Sequence, residues 1–228
     1  MDGLAPKRGV VIAIDGPAGA GKSTLARALA DELGMPYINT GLMYRALARQ
    51  SLAAGVPPED GGGLARLAQT IEFEVGPGET GRLLIDGREP DSAFFAHEVE
   101  AFVSTVASHP EVRAIMRAEQ RALGVAGCVM EGRDIGSVVF PDADIKIFLS
   151  ADPGERERRR ISERGGGNEA GAAVARRDRL DAKTNPFVPA PDAMVLDSTT
   201  LDAQEVRARA IAFVRQRLGG RSGRGSGR

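Results

Sequence analysis

The feature that most constrains this 228-residue chain is a glycine-rich segment near its start, Gly16-Pro17-Ala18-Gly19-Ala20-Gly21-Lys22-Ser23-Thr24. It satisfies the pattern G-x-x-x-x-G-K-[ST] in full. A loop that wraps a chain of phosphates needs backbone conformations and a closeness of approach that a Cβ forbids, and glycine supplies both. Its N–H groups then point at the anion, and the helix that must begin near Lys22 adds its positive end. The lysine reaches the β- and γ-phosphates, and the Ser23 hydroxyl is placed for Mg²⁺. The flanks agree: residues 10–14 are apolar, and residues 22–33 are amphipathic up to Gly34, a C-terminal stop.

That strand–loop–helix start sets the rhythm of the rest. Short apolar runs at 10–14, 37–39, 128–131, 145–149 and 194–196 read as buried strands, with helical patterns between them. Strands alternating with helices predict an α/β fold, a parallel sheet covered on both faces. Two stretches break the alternation. Residues 71–75 and 82–86 flank Gly76-Pro77-Gly78 and predict a hairpin, so residues 62–109 read as a small insertion. Gly165-Gly166-Gly167-Asn168, between charged helices, suits either a lid over residues 156–175 or an ordinary surface loop. A last helix is expected over 202–218, with Asp202 and Glu205 as a capping pair. Residues 219–228 contain only Gly, Ser and Arg and read as a disordered tail outside a single domain spanning 1–218.

Composition narrows the function classes. The formal net charge of −1 gives no basic field for nucleic acid. No segment approaches the roughly 20 apolar residues of a membrane span, and the first apolar run stops too early for a signal peptide. A cytoplasmic protein is expected. The single cysteine, Cys128, excludes an internal disulfide and a cysteine metal cluster, and its apolar setting predicts a buried, inert thiol. Only Lys7, Lys22, Lys146 and Lys183 are lysines. The arginine excess reflects codon usage or guanidinium forks on phosphates. A phosphate loop by itself fits a kinase, a GTPase switch or an ATP-driven motor. There is no N-K-x-D guanine-reading motif, and the chain is short for a motor.

Further segments carry more. They are Thr40-Gly41-Leu42-Met43-Tyr44-Arg45, Glu131-Gly132-Arg133-Asp134-Ile135-Gly136, Pro141-Asp142-Ala143-Asp144, Arg177-Asp178-Arg179-Leu180-Asp181 and Asp197-Ser198-Thr199-Thr200. Together with Ile14-Asp15-Gly16-Pro17 they resemble the bacterial cytidylate kinases, over residues 9–218. The resemblance implies the nucleoside monophosphate kinase fold, a five-stranded parallel sheet with an inserted acceptor-binding subdomain and a lid. It implies transfer of a phosphoryl group from ATP to CMP or dCMP, with Mg²⁺.

By the same resemblance, residues 16–24 bind ATP, and Lys22, Arg133 and Arg159 are catalytic. Thr40, Tyr44, Arg45, Ser104, Arg113, Arg133, Asp134, Arg177 and Asp181 bind CMP. Arg45 and Arg133 grip its phosphate as charge-assisted pairs; the alternative for Arg45 is a solvated helix face. Ser104, Arg113 and Asp134 read cytosine, which offers an amino donor beside N3 and O2 acceptors. Asp181 and Arg177 meet the ribose, or form an ordinary i,i+4 pair. Arg156, Arg159 and Arg160 belong to the lid helix, or to a charge run balanced by Glu155 and Glu157. The acceptor is already a phosphate dianion near neutral pH, so no general base is needed, and His97 and His109 are expected to be structural.

The sequence departs from the family pattern where Lys183 follows Asp181 in place of a phosphate-binding arginine. The expected partners are small molecules, with no nucleic acid or membrane, and a monomeric state. Competing assignments are a kinase for UMP, AMP or shikimate, or a non-catalytic nucleotide-binding module.

Overall fold

Every residue of Val11–Asp15 (β1) is buried. That is the burial required of a parallel strand with neighbours on both edges and cover on both faces. It pairs in parallel with Cys128–Glu131 (β5) on one side, Val11 beside Cys128, and with Ile145–Ser150 (β6) on the other, Ile12 beside Ile145. Tyr37–Asn39 (β2) and Met194–Asp197 (β7) complete a five-stranded parallel sheet in the order β2-β5-β1-β6-β7. The predicted α/β sheet is therefore the observed one. The computed structural model describes residues 9–164, 180 and 187–222.

One face of the sheet is covered by Lys22–Leu33 (α1) and Ala203–Ser222 (α7). Ile12, Ile14, Leu29 and Ile147 lie in that core at 0 to 1% exposure. Each such side chain contributes about 1.5–3 kcal/mol by leaving water. Gly34 ends α1 in the left-handed region, with its N–H bonded to Ala30 O. At the start of α7 the Asp202 carboxylate accepts from the N–H groups of Gln204 and Glu205, and Glu205 Oε2 accepts from Asp202 N–H. The expected capping pair is thus reciprocal. The helix runs on to Ser222, four residues past the expected Leu218, and residues 223–228 lie outside the described part.

A second apolar core sits beside the sheet. It is built by Thr40–Ala54 (α2), Gly61–Ala68 (α3), Phe73–Val75 (β3), Leu83–Ile85 (β4), His97–Val106 (α4) and Pro110–Gly124 (α5). β3 and β4 pair antiparallel around the Gly76-Pro77-Gly78 turn. His109, at the cap of α5, donates from Nε2 to Pro58 O at 2.8 Å, a structural tie. Cys128 is fully buried, and burial pushes its thiol pKa up to about 12.

The strands of the sheet share one direction, so the turns leaving β1 and β5 emerge side by side. Gly132 N–H donates to Ile14 O at 2.9 Å where they meet. Crevices at the carboxyl ends of such strands are where open α/β sheets hold ligands.

Candidate active site

The turn after β1 is the glycine-rich loop, and α6, Pro153–Arg164, packs directly on it. Arg156 is buried and donates from Nη1 to Ala18 O at 3.1 Å and from Nε to Ala151 O at 3.1 Å. It braces the loop from behind. Lys22, the first residue of α1, is also buried, and its ammonium donates to Pro17 O at 2.7 Å.

Glu131 ends β5 beside this loop. Its Oε2 accepts from Ser23 Oγ at 3.0 Å, its Oε1 from the Tyr37 hydroxyl, and its backbone carbonyl from Thr40 Oγ1 at 2.8 Å. Burial, with the Glu131 charge behind it, drives the Tyr37 hydroxyl pKa up. The Glu131 carboxylate thereby ties α1 and β2 to β5, and its backbone carbonyl adds α2. Sequence reasoning quoted Glu131 within its motif and gave it no role. A carboxylate closing an apolar strand was the available signal.

The turn after β5 is held just as closely. Asp15 accepts from Ile135 N–H at 2.8 Å and Gly136 N–H at 2.7 Å, and Arg133 Nη1 donates to Gly16 O at 2.8 Å. Arg133 also lies over the Phe187 ring at 5.7 Å. Burial pushes the Asp15 pKa up from 3.8 to about 6, against the two N–H bonds that pull it down; the Asp134 charge adds to the rise and Lys22 opposes it. The folded chain therefore keeps a proton that the unfolded chain releases between pH 4 and 6. This group's contribution to stability is complete below about 3.8 and is lost as pH rises through 6. A shift of that size corresponds to a loss on the order of 3 kcal/mol. Asp15→Asn is expected to flatten the fall of unfolding free energy across that window. Urea titrations of parent and variant at pH 4.5, 5.5 and 6.5 measure it, and identical slopes would contradict the assignment.

One cleft opens between this pair of turns and the helices of the second core. It is lined by Lys22, Thr40, Tyr44, Ser104, Arg113, Glu131, Arg133 and Asp134, so that seven of its expected residues and Glu131 meet in one place. Asp134 accepts on Oδ2 from Arg113 Nη2 at 2.6 Å and from Arg117 Nη2 at 3.0 Å. Tyr44 is half-buried by the packed second core, and the withdrawal of its hydroxyl from water raises its pKa to about 12, with the Gln120 side chain, also in the cleft, pulling it down. Arg117 and Gln120 were not singled out from sequence. Their spacing from Arg113 on α5 puts all three on one helix face.

Arg45 stands elsewhere. It is 4% exposed, pairs with Glu100 at 2.6 Å, donates to Phe94 O at 3.1 Å and stacks over Phe95 at 4.9 Å. It ties α2 to α4 and is not among the residues lining the cleft. The alternative of a solvated helix face does not describe it either.

A second cleft lies across the glycine-rich loop, lined by Gly19, Ala20, Gly21, Thr24, Arg159 and Ser198 with the start of α7. Arg159 donates from Nε to Glu155 at 2.8 Å and from Nη1 to Ser198 Oγ at 3.0 Å. Helix α6 is thereby tied to the turn after β7. Arg160 is half-buried on the same helix. Arg177, Asp181, Lys183 and the glycine tip at 165–168 lie outside the described residues.

No helix among the described residues is long and apolar enough to cross a membrane. The family model described as cytidylate kinase matches residues 12–216. A cytidylate kinase of Geobacillus kaustophilus is 44% identical over 93% of this chain and 100% of its own length. One from Solibacter usitatus is 44% identical over 92% of this chain and 94% of its own. Among solved structures, a Thermus thermophilus protein overlays 93% of this chain and 99% of its own at 22% identity, with a TM-score of 0.49.

Proposed function

Since the chain belongs to the cytidylate kinase family, we propose that it transfers the γ-phosphoryl group of ATP to CMP or dCMP, giving ADP and CDP or dCDP. The observation that carries this assignment is the position of the phosphate loop between two clefts. In-line transfer needs a donor and an acceptor on opposite sides of the moving group, and here a single loop borders both spaces.

In this assignment the loop amides of residues 16–24 and the Lys22 ammonium hold the β- and γ-phosphates. ATP extends into the cleft of Thr24, Arg159 and Ser198. CMP occupies the cleft of Thr40, Tyr44, Ser104, Arg113 and Asp134. Arg133 borders the loop and the acceptor cleft together, through its bond to Gly16 O, and takes the charge that develops between the phosphates. Asp134 accepts from the cytosine amino group, and Arg113 and Ser104 donate to N3 and O2. Uracil would set its O4 against that carboxylate and leave acceptors unpaired. Arg45 reaches the acceptor phosphate only by exchanging its Glu100 partner for it. Arg177 and Asp181 retain their proposed ribose contacts.

The Ser23 hydroxyl and the Glu131 carboxylate lie 3.0 Å apart beside Lys22, a hard-oxygen pair that fits Mg²⁺. The ion would be held by these two residues and the phosphates, and it supplies neutralisation of the phosphate charge. The chain's own residues bind, orient and exclude water. No proton need be removed from the attacking phosphate oxygen.

ADP release, followed with CMP, dCMP, UMP, AMP and shikimate as acceptors, tests the assignment. CMP and dCMP are expected to be turned over fastest. Faster turnover of AMP or shikimate, or ATP binding without turnover on any acceptor, would refute it.

A further inference from the structure

We propose that Arg117 is a positioning residue for base choice: it holds the Asp134 carboxylate in place so that Arg113 is able to spend its donors on the cytosine. The inference rests on the assignment of Asp134 and Arg113 to the base, made above.

The geometry behind it is specific. Arg113 and Arg117 stand one helical turn apart on α5, and both guanidiniums bond the same oxygen, Asp134 Oδ2, at 2.6 and 3.0 Å. Among the described residues Oδ1 makes no hydrogen bond, so one oxygen is saturated and the other is left to a ligand. Arg113 and Asp134 line the acceptor cleft, whereas Arg117 does not; it reaches Asp134 from outside. The side chains are 12%, 14% and 29% exposed for Arg113, Asp134 and Arg117, so the cluster is largely withdrawn from water. Arg117 Nε is itself buried without a hydrogen-bond partner, which leaves its pairing with Asp134 as the contact that fixes the guanidinium.

A single arginine would face a conflict. If Arg113 turned toward N3 and O2 of the base, Asp134 would be left a largely buried carboxylate without a counter-charge, a costly state that favours rotation away. A rotated Asp134 no longer accepts from the cytosine amino group in the required direction. Arg117 resolves the conflict because it stays on Oδ2 whatever Arg113 does. It therefore keeps the carboxylate in place and its Oδ1 available. Planarity matters here, since a guanidinium fork fixes orientation as well as charge.

The test compares steady-state kinetics of Arg117→Met, Arg117→Lys, Asp134→Asn and the double variant Arg117→Met/Asp134→Asn, with CMP and UMP as acceptors. Arg117→Met is expected to lower kcat/KM for CMP roughly tenfold, mainly through KM, and that for UMP by much less, because only the amino-group contact depends on Asp134. KM for ATP stays unchanged, and Arg117→Lys recovers part of the loss. In the Asp134→Asn background Arg117→Met adds almost nothing, as expected of residues acting as one unit. Equal losses on CMP and UMP, or additive losses in the double variant, would overturn the proposal and leave Arg117 a fold-stabilising residue. Should Asp134→Asn itself leave the CMP-to-UMP ratio unaltered, the base assignment falls and takes the proposal with it. A changed ratio in Asp134→Asn beside an unchanged one in both Arg117 variants sinks the Arg117 role alone. Melting temperatures of all four variants separate misfolding from loss of selectivity.

Discussion

Replacing Lys22 with alanine is expected to cut phosphoryl transfer by at least about a hundredfold, the cost of removing one preorganised charge from a developing transition state. Lys22 is closely held in the site. The residue is 9% exposed, its ammonium bonds Pro17 O at 2.7 Å, and it lines the acceptor cleft. The ammonium is thus held at the loop before any substrate arrives, and little reorganisation remains at the moment of transfer. Alanine is a good helix former at the first position of α1, so the fold has no reason to suffer. Lys22→Arg should be nearly as damaging, since a planar guanidinium does not fit the space of a compact ammonium. ADP release by purified variants, with a thermal melt to verify folding, checks both. Turnover within tenfold of the parent would remove Lys22 from the chemistry.

Gly16→Ala is expected to destabilise the whole chain by about 4 kcal/mol or more, the range reserved for backbone collisions and gross packing failures. The reason is local and severe. Gly16 has φ +146°, and a Cβ there would lie 2.0 Å from the Leu149 carbonyl oxygen. That oxygen belongs to the buried backbone of β6, paired with β7, and cannot step aside. A protein of this size would lose roughly 10 °C in Tm for such a change. Gly21→Ala offers the contrast. Its φ is +95°, yet a Cβ meets nothing nearer than Leu149 Cδ2 at 3.7 Å. It should therefore cost backbone strain, about 1–2 kcal/mol, with the larger damage falling on nucleotide binding. Differential scanning calorimetry of the two variants side by side decides the matter. A Gly16→Ala melt within 2 or 3 °C of the parent's would mean that the strand and loop separate more readily than their contact allows.

The two substitutions probe different demands of one loop. Lys22 serves the ligand, and Gly16 serves the sheet. The phosphate loop sits against β6 on one side, against Arg156 on another and against Arg133 on a third. Such bracing is what lets a short glycine-rich segment hold a fixed shape, because isolated glycines are the most mobile residues in an unfolded chain.

Local patterns on the sequence determined a good deal. The apolar strand, the glycine pattern and the amphipathic α1 announced a phosphate loop because each of those demands is met within one short segment. The Asp202–Glu205 cap and the Gly34 stop were legible for the same reason, since their partners lie within one helical turn. Burial of β1 and β5 followed from short apolar runs, and the family resemblance brought Arg113, Arg133 and Asp134 to notice together. Partner choice was decided by the tertiary structure. Arg45 carries the same formal charge whether it meets a ligand phosphate or Glu100, and only the packing of α2 against α4 brings Glu100 to it at 2.6 Å. Asp15 and Gly136 are 121 residues apart, and Ser23 and Glu131 are 108 apart. No periodicity spans such distances. The chain has many arginines and many carboxylates, so composition permits far more pairings than the fold makes. Sheet order, by setting the turn after β5 next to the turn after β1, selects among them.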